Sequence, residues 1–489
     1  MVSAGRDELI KALLHDEGLS DAGRDQIVPR SASNEFLPLS FAQERLWLVD
    51  QLGGGSAAYN IPHAVRFRGV LDVGALEWAL GEVVRRHEVL RTCYPVVGGR
   101  VVQRVLPVGG FRLGLVDLSG VGDSEGGLWE RAAAEAVEPF DLAVGPVFRA
   151  ELVRLGGLDH VLLLTVHHIA SDGWSSGVLV GEVAAGYRVA CGVGGGLPVL
   201  PVQYGDFAVW QRGWLRGEVL ERQLEYWRGV LDGASVLELP VDRGRPEVLS
   251  GVGATRRFVV PGRVRESLMG LAVGEGVTLF MVLVAAFDVV LARLTGATDI
   301  VIATAVSGRP HRDLESLIGF FVNTLVLRTD VSGDPSFREL VGRVREVTLG
   351  AYAHQDLPFE QLVQEIRADT ESDRRDHRRP LVEVLFQLDE SPSPSLSLPG
   401  LDIEPLAVDK QAAKFPLTVM MWDRPDEGLT GGIEYLAELF DDDSIAALVA
   451  ALNSVLAWAV ENPETPLSQW SSMSEAVGVD PSQQESVAL

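Results

Sequence analysis

Two adjacent histidines, His167 and His168, are followed after three residues by Asp172 and Gly173, an arrangement of the form HHxxxDG. Histidine is the side chain whose unperturbed pKa lies near neutrality, so an imidazole held by its neighbours can take a proton from an amine or hydroxyl as that group attacks. His168 is the candidate for that base, or for the group that orients the nucleophile. Asp172 stands too close in sequence to be idle, and in a tight corner it is suited to bracing the loop through a cationic partner. Gly173 permits a backbone approach that a side chain would block, and its N–H, at the start of a helix, could face a developing oxyanion.

The same letters admit other readings. Two histidines can simply close a strand with satisfied hydrogen bonds. His168 and Asp172, four residues apart, could share a metal, yet no HExxH, Cys pair or third ligand accompanies them. Gly173 to Gly177 also match GxSxG, the nucleophile elbow of serine hydrolases, with Ser175 attacking. That elbow needs a strand running into its first glycine, whereas Ala170, Ser171 and Asp172 are turn-like.

The elements around the motif follow from its neighbours. Leu162 to Val166 form an apolar run rich in strand formers, which predicts a buried strand ending on the histidines. Ser171 to Gly173 supply turn chemistry, and Leu179, Val180, Val183 and Tyr187 restart an apolar pattern at helical spacing. Upstream, Ser40 caps a helix over Ser40 to Leu52, whose Gln43 and Arg45 read as surface residues. Ile61 to Phe67 alternates like a strand, and Leu71, Asp72 and Leu76 mark a stapled helix start. Leu279 to Leu294, broken by Asp288 and Arg293, is shorter than the roughly 20 residues that span a bilayer and predicts a buried helix.

At 489 residues the chain can build two lobes, each with its own core. Residues 1–34 are assigned to an arm or linker, 35–212 to a first lobe, 213–462 to a second and 463–489 to a flexible tail. The formal net charge of -26 argues against nucleic acid or an anionic membrane as partner. The two cysteines, Cys93 and Cys191, make no disulfide or metal framework and suit a reducing cytoplasm. The residues after Met1 show no secretory signal.

Further stretches carry a stronger signal than any single motif. SFAQERLW at Ser40 to Trp47, RHEVLRT at Arg86 to Thr92, HHIASDG at His167 to Gly173, YGDFAVWQ at Tyr204 to Gln211, IGFFVNTLVLR at Ile318 to Arg328, HQDLPFEQL at His354 to Leu362 and HRRPL at His377 to Leu381 occur in that order. Together, over about residues 35–460, they resemble the condensation domains of nonribosomal peptide synthetases. The resemblance implies an α/β (α+β) fold of two chloramphenicol-acetyltransferase-like lobes in a V, with HHxxxDG in a tunnel between them. It makes His168 the catalytic position and His167 and Asp172 chiefly structural, with Arg309 as the candidate partner of Asp172.

The resemblance also implies no bound cofactor and no metal. An acyl or aminoacyl group would arrive as a phosphopantetheine thioester on a separate carrier protein, and an amine or hydroxyl would attack it. Asn323 and Thr324, polar in a strand-like apolar stretch, are with Ser307 and Trp174 the candidate substrate-binding residues; Arg91 joins Arg309 as structural support. The basic run Arg374, Arg375, Arg378 and Arg379 is the candidate carrier contact. No carrier-attachment serine motif is visible, and from Met1 to Leu489 the chain reads as a free-standing enzyme, so the expected acceptor is a soluble amine or alcohol, or else a second carrier.

Overall fold

The computed structural model describes residues 9–10, 12–14, 26–30, 35–52, 57–246, 249–369, 381–389, 398, 400–406, 408, 413–424 and 428–471. Helix α1 (Phe41–Leu52) opens the first lobe, with the Ser40 hydroxyl accepting from Gln43 N at 3.1 Å. The lobe's sheet contains β1 (Asn60–Gly69), β2 (Gly114–Asp117), β3 (Phe148–Gly156) and β4 (Asp159–His167). Its helices are α2 (Val73–Arg86), capped by Asp72, then α3 (Ser124–Val137) and α4 (Gly173–Ala190).

β4 is central, antiparallel to β1 on one side and to β3 on the other, while β2 runs parallel to β3. Both faces of β4 are covered, which is why its sequence is continuously apolar rather than alternating. Leu162, Leu164 and Val166 pack with α2 and α4, and Val161 and Leu163 pack with Leu128 and Ala132 of α3. Burial runs from His160 to His167, so the histidine pair is anchored at the end of the most enclosed strand in the lobe.

α5 (Tyr204–Trp214) packs on the first lobe and α6 (Glu218–Leu231) on the second. There follow β5 (Gly253–Val259), α7 (Gly262–Glu275), α8 (Leu279–Thr295), β6 (Asp299–Val306), β7 (Asn323–Asp330), α9 (Phe337–Ala353), α10 (Phe359–Asp369), β8 (Val384–Asp389), β9 (Leu401–Leu406), β10 (Leu417–Arg424), β11 (Gly428–Leu436) and α11 (Asp442–Glu461). The second sheet has the order β5-β11-β10-β8-β6-β7. α8 is its core helix: every residue from Leu279 to Leu291 is buried, Thr278 caps its start and Gly296, at φ 72°, ends it.

The division of the chain at residues 34, 212 and 462 needs correction in three places. β9, although encoded within the second lobe, pairs antiparallel with β1 and completes the first lobe's sheet, from Leu401 opposite Gly69 to Leu406 opposite Ala64. Described residues of the expected arm are also packed: Ile27 is buried in the first core, Leu13 reaches the second, and Arg30 forms ion pairs with Glu88 and Asp206. Finally, Leu467 and Trp470 are buried in the second core, so the packed structure continues past Pro463.

Candidate active site

His168 begins a short 3-10 turn, His168–Ala170, between β4 and α4. It is half-buried, and the ring of Phe320, encoded within the second lobe but packed against the first core, meets it edge-on at 4.8 Å between centroids. Phe320 also lines a pocket shared by the lobes, with Phe207, Trp210 and Trp214 on one side and Asn323 and Pro358 on the other. One aromatic ring therefore touches both the pocket and the imidazole.

His167 is placed differently. It is buried on the α3 face of the sheet, with Phe140 edge-on at 6.0 Å, and its Nδ1 accepts from Ile169 N at 3.1 Å. The ring proton of the neutral form is thus on Nε2. Burial, helped by the cation of Lys414, pushes its pKa down to about 4, so this imidazole stays neutral around pH 7.

Asp172 is buried and caps α4. One carboxylate oxygen accepts from Ser175 N at 2.8 Å and from Arg309 at 3.2 Å, and lies 2.7 Å from Ser175 Oγ. The other accepts from Phe321 N at 2.9 Å. Arg309 is itself enclosed between the carbonyls of Leu314 and Leu317, Ser175 Oγ and the face of Phe321. Burial pulls its pKa down and the Asp172 carboxylate opposes that pull. The outcome is a knot of three side chains tying α4 to residues 309–321, a segment encoded within the second lobe whose Leu314, Leu317, Ile318 and Phe321 are buried in the first core.

Ser175 is part of that knot and is fully buried. Its hydroxyl oxygen accepts from Gly319 N at 3.0 Å and from Arg309 at 2.8 Å, which engages the lone pairs a nucleophile needs. The GxSxG reading with Ser175 as nucleophile is therefore corrected: this serine is a brace. Gly173 opens α4, and a Cβ there would meet nothing within 4 Å. Among the described residues, no three His, Cys, Asp or Glu side chains gather to hold a metal ion.

Of the remaining candidates, Asn323, Trp174 and Arg91 are engaged by protein groups. Asn323 donates to the carbonyls of Gln355 and Leu357 and accepts from the N–H groups of Thr324 and Phe359, which uses its donors and acceptor in clamping the turn before α10. Trp174 Nε1 donates to Glu315 O at 2.8 Å. Thr324 is half-buried opposite Ala305, and Ser307 is exposed beyond β6. Arg91 donates to Leu106 O and lies 3.7 Å from Glu88, away from the knot. Arg374, Arg375, Arg378 and Arg379 lie outside the described residues.

Two supports, Gln43 and Tyr204, escaped the sequence reading, and a third, His87, belongs to the charged run Arg86 to Arg91. Gln43, taken as a surface residue, is fully buried and donates to Ile169 O and Tyr94 O–H, so it holds the histidine turn from α1. His87 joins Glu182 of α4 at 2.8 Å and accepts from Ile318 N. Tyr204 O–H donates to Phe320 O at 2.6 Å. The available signal was a polar residue inside an apolar helical face, as at Gln43; the partners of His87 and Tyr204 are more than 90 residues away in sequence.

Residues 33–478 match the family model of the condensation domain. Malpinin synthetase of Mortierella alpina is 42% identical over 443 residues, covering 90% of this chain, and phosphinothricin tripeptide synthetase PhsB of Streptomyces viridochromogenes is 39% identical over 90% of it. The chain spans only 6% of the former protein and 37% of the latter. Among solved structures, the X-domain in its complex with OxyB from teicoplanin biosynthesis superposes with a TM-score of 0.82 at 31% identity, covering 92% of this chain and 99% of that one. The first condensation domain of the calcium-dependent antibiotic synthetase, at 23% identity and a TM-score of 0.72 over 90% of this chain and 99% of its own, shares the two-lobed chloramphenicol-acetyltransferase-like fold. The chain belongs to the condensation-domain family, the acyltransferases of nonribosomal peptide synthesis.

Proposed function

We propose that the chain transfers an acyl or aminoacyl group from the phosphopantetheine thioester of a separate carrier protein to an amine or hydroxyl, the acceptor being a soluble molecule. The observation that carries this is the half-buried His168 at the lobe junction, held by a turn that Gln43 and the Asp172–Arg309–Ser175 knot fix from both sides. A thioester is already activated, so alignment and the handling of one proton are the main requirements. The acceptor's nitrogen or oxygen bonds to the carbonyl carbon, the C–S bond breaks, and the acceptor's proton ends on the departing sulfur. His168 takes up that proton as attack proceeds and returns it to the thiolate, while the N–H of Gly173 is the candidate donor to the carbonyl oxygen.

Mass spectrometry of reactions containing an acylated carrier, with either free or carrier-bound amines and alcohols, tests the reading. Product from a free acceptor without a second carrier supports it. Turnover only with a loaded second carrier overturns the soluble-acceptor assignment, and unimpaired turnover by His168→Ala overturns the mechanism.

A further inference from the structure

Next to the HHxxxDG corner lies a polar pair that takes no part in the knot. His63 of β1 is opposite Leu164 of β4. Its neighbour Ala64 packs with Leu163 and α3, which puts His63 on the other face of the sheet, under α4. There its Nε2 is 3.2 Å from Ser176 Oγ, and that hydroxyl donates to the carbonyl of Asp172 at 3.3 Å. With the hydroxyl proton on that carbonyl, the imidazole is the donor to Ser176. Within the GxSxG letters it is thus Ser176, not Ser175, that meets a histidine.

The surroundings are open. His63 and Ser176 are half-buried, as His168 is, whereas Leu164, Val166, Ile169 and Ser175 around them are buried. Gly173 and Gly177 lie one helical turn apart with Ser176 beside them, and a Cβ at either glycine would meet nothing within 4 Å. Both glycines of the first turns of α4 thus have room for a side chain, and the His63–Ser176 pair lies beside them.

We propose that His63 and Ser176 are specificity-determining residues that hydrogen-bond a hydroxyl on the substrate held at His168. The assignment rests on the reading of the chain as a carrier-dependent acyltransferase. A site that hydrogen-bonds a substrate hydroxyl rejects the isostere lacking it, because its own polar groups are then left without that partner. Here the two residues can fall back on each other, so the discrimination is modest, about tenfold rather than many thousandfold.

Threonine and valine are near-isosteres that differ by this hydroxyl, which makes them the probes. Threonyl and valyl groups are compared as carrier-bound donors, and threonine and valine amides as acceptors, in wild type, His63→Leu, His63→Gln and Ser176→Ala, with melting temperatures to establish that each variant is folded. The expected wild-type kcat/KM ratio, Thr over Val, is about tenfold on one of the two sides. It falls to near one in His63→Leu and Ser176→Ala through loss on the threonine member alone, and His63→Gln, which keeps a donor, retains part of it. Ratios near one in wild type, equal ratios in all variants, or labelling of Ser176 by a fluorophosphonate overturn the assignment. Calorimetric titration with threonyl- and valyl-pantetheine amides reads the same preference without turnover. Wild type that makes no product but binds the threonyl compound more tightly, in a His63-dependent way, refutes the transferase reading and not the pair; equal binding of both compounds refutes the pair.

Discussion

Removing the Arg309 guanidinium separates the two functions of the knot, stability and alignment. In Arg309→Ala the Asp172 carboxylate stays enclosed and loses its counter-charge, and the carbonyls of Leu314 and Leu317 lose a donor. Breaking a buried ion pair costs about 3–5 kcal/mol. Three hydrogen bonds to Asp172 remain, from Ser175 N, Ser175 Oγ and Phe321 N, and each such bond to a charged group contributes about 1.5–3 kcal/mol. These hold the loss near the lower end, about 3 kcal/mol. Asp172→Ala costs a similar amount, since it strands the arginine and uncaps α4. The double variant removes both charges and costs less than the sum, by about 2 kcal/mol. Urea unfolding followed by tryptophan fluorescence gives all four corners of this cycle, and acyl transfer measured where each variant is folded gives the rates, expected to fall because residues 318–321 carry Phe320. An Arg309→Ala midpoint equal to wild type, or single-variant losses that add to within about 0.5 kcal/mol, refutes the argument.

Asp288, fully buried in α8 with a pKa raised to about 8 by burial, gives a prediction of opposite character. The folded value exceeds the unfolded one near 3.8, so its stability is complete below about pH 4, is lost progressively up to about pH 8, and is flat above; Asp288→Asn removes this slope and is more stable than wild type at pH 8 by a few kcal/mol, about 1.4 per unit. His167, with a folded pKa of about 4 against 6.5, is the reverse: stability is full above about pH 6.5 and is lost as pH falls toward 4, a slope that His167→Asn flattens in urea titrations at successive pH values. A Cβ on Gly319 would lie 2.0 Å from the Tyr204 ring, so Gly319→Ala is expected to cost about 1–3 kcal/mol and to lower transfer by displacing Phe320; an unchanged rate shows that Phe320's position is unimportant.

How far the sequence spoke can be traced residue by residue. The strand-turn-helix corner was legible because each part is local: an apolar run, turn residues, then helical spacing, all within about 25 residues. α8 was legible for the same reason, its composition marking a buried helix. The pairing of Asp172 with Arg309 came through motif resemblance, since nothing local links residues 137 positions apart. Gln43 was misjudged because a lone polar side chain on a helix has the same letters whether it faces water or a carbonyl of a distant turn. Asn323 was read as facing substrate for a related reason: burial demands partners, but sequence does not say whether these are ligand or backbone.

β9 gives the division into lobes a practical limit. Without it, the ten residues of β1 would form an open sheet edge, the type of surface that recruits other chains and nucleates aggregation. A first lobe expressed alone from residues 35–212 would carry that exposed edge, and so would a hybrid in which the halves of two relatives are joined near residue 212 and the incoming strand pairs poorly. The portable unit is therefore discontinuous: whoever transplants the first lobe must also carry Leu401–Leu406, a segment encoded some 190 residues beyond the apparent boundary, with the side chains that match Ala64 to Gly69.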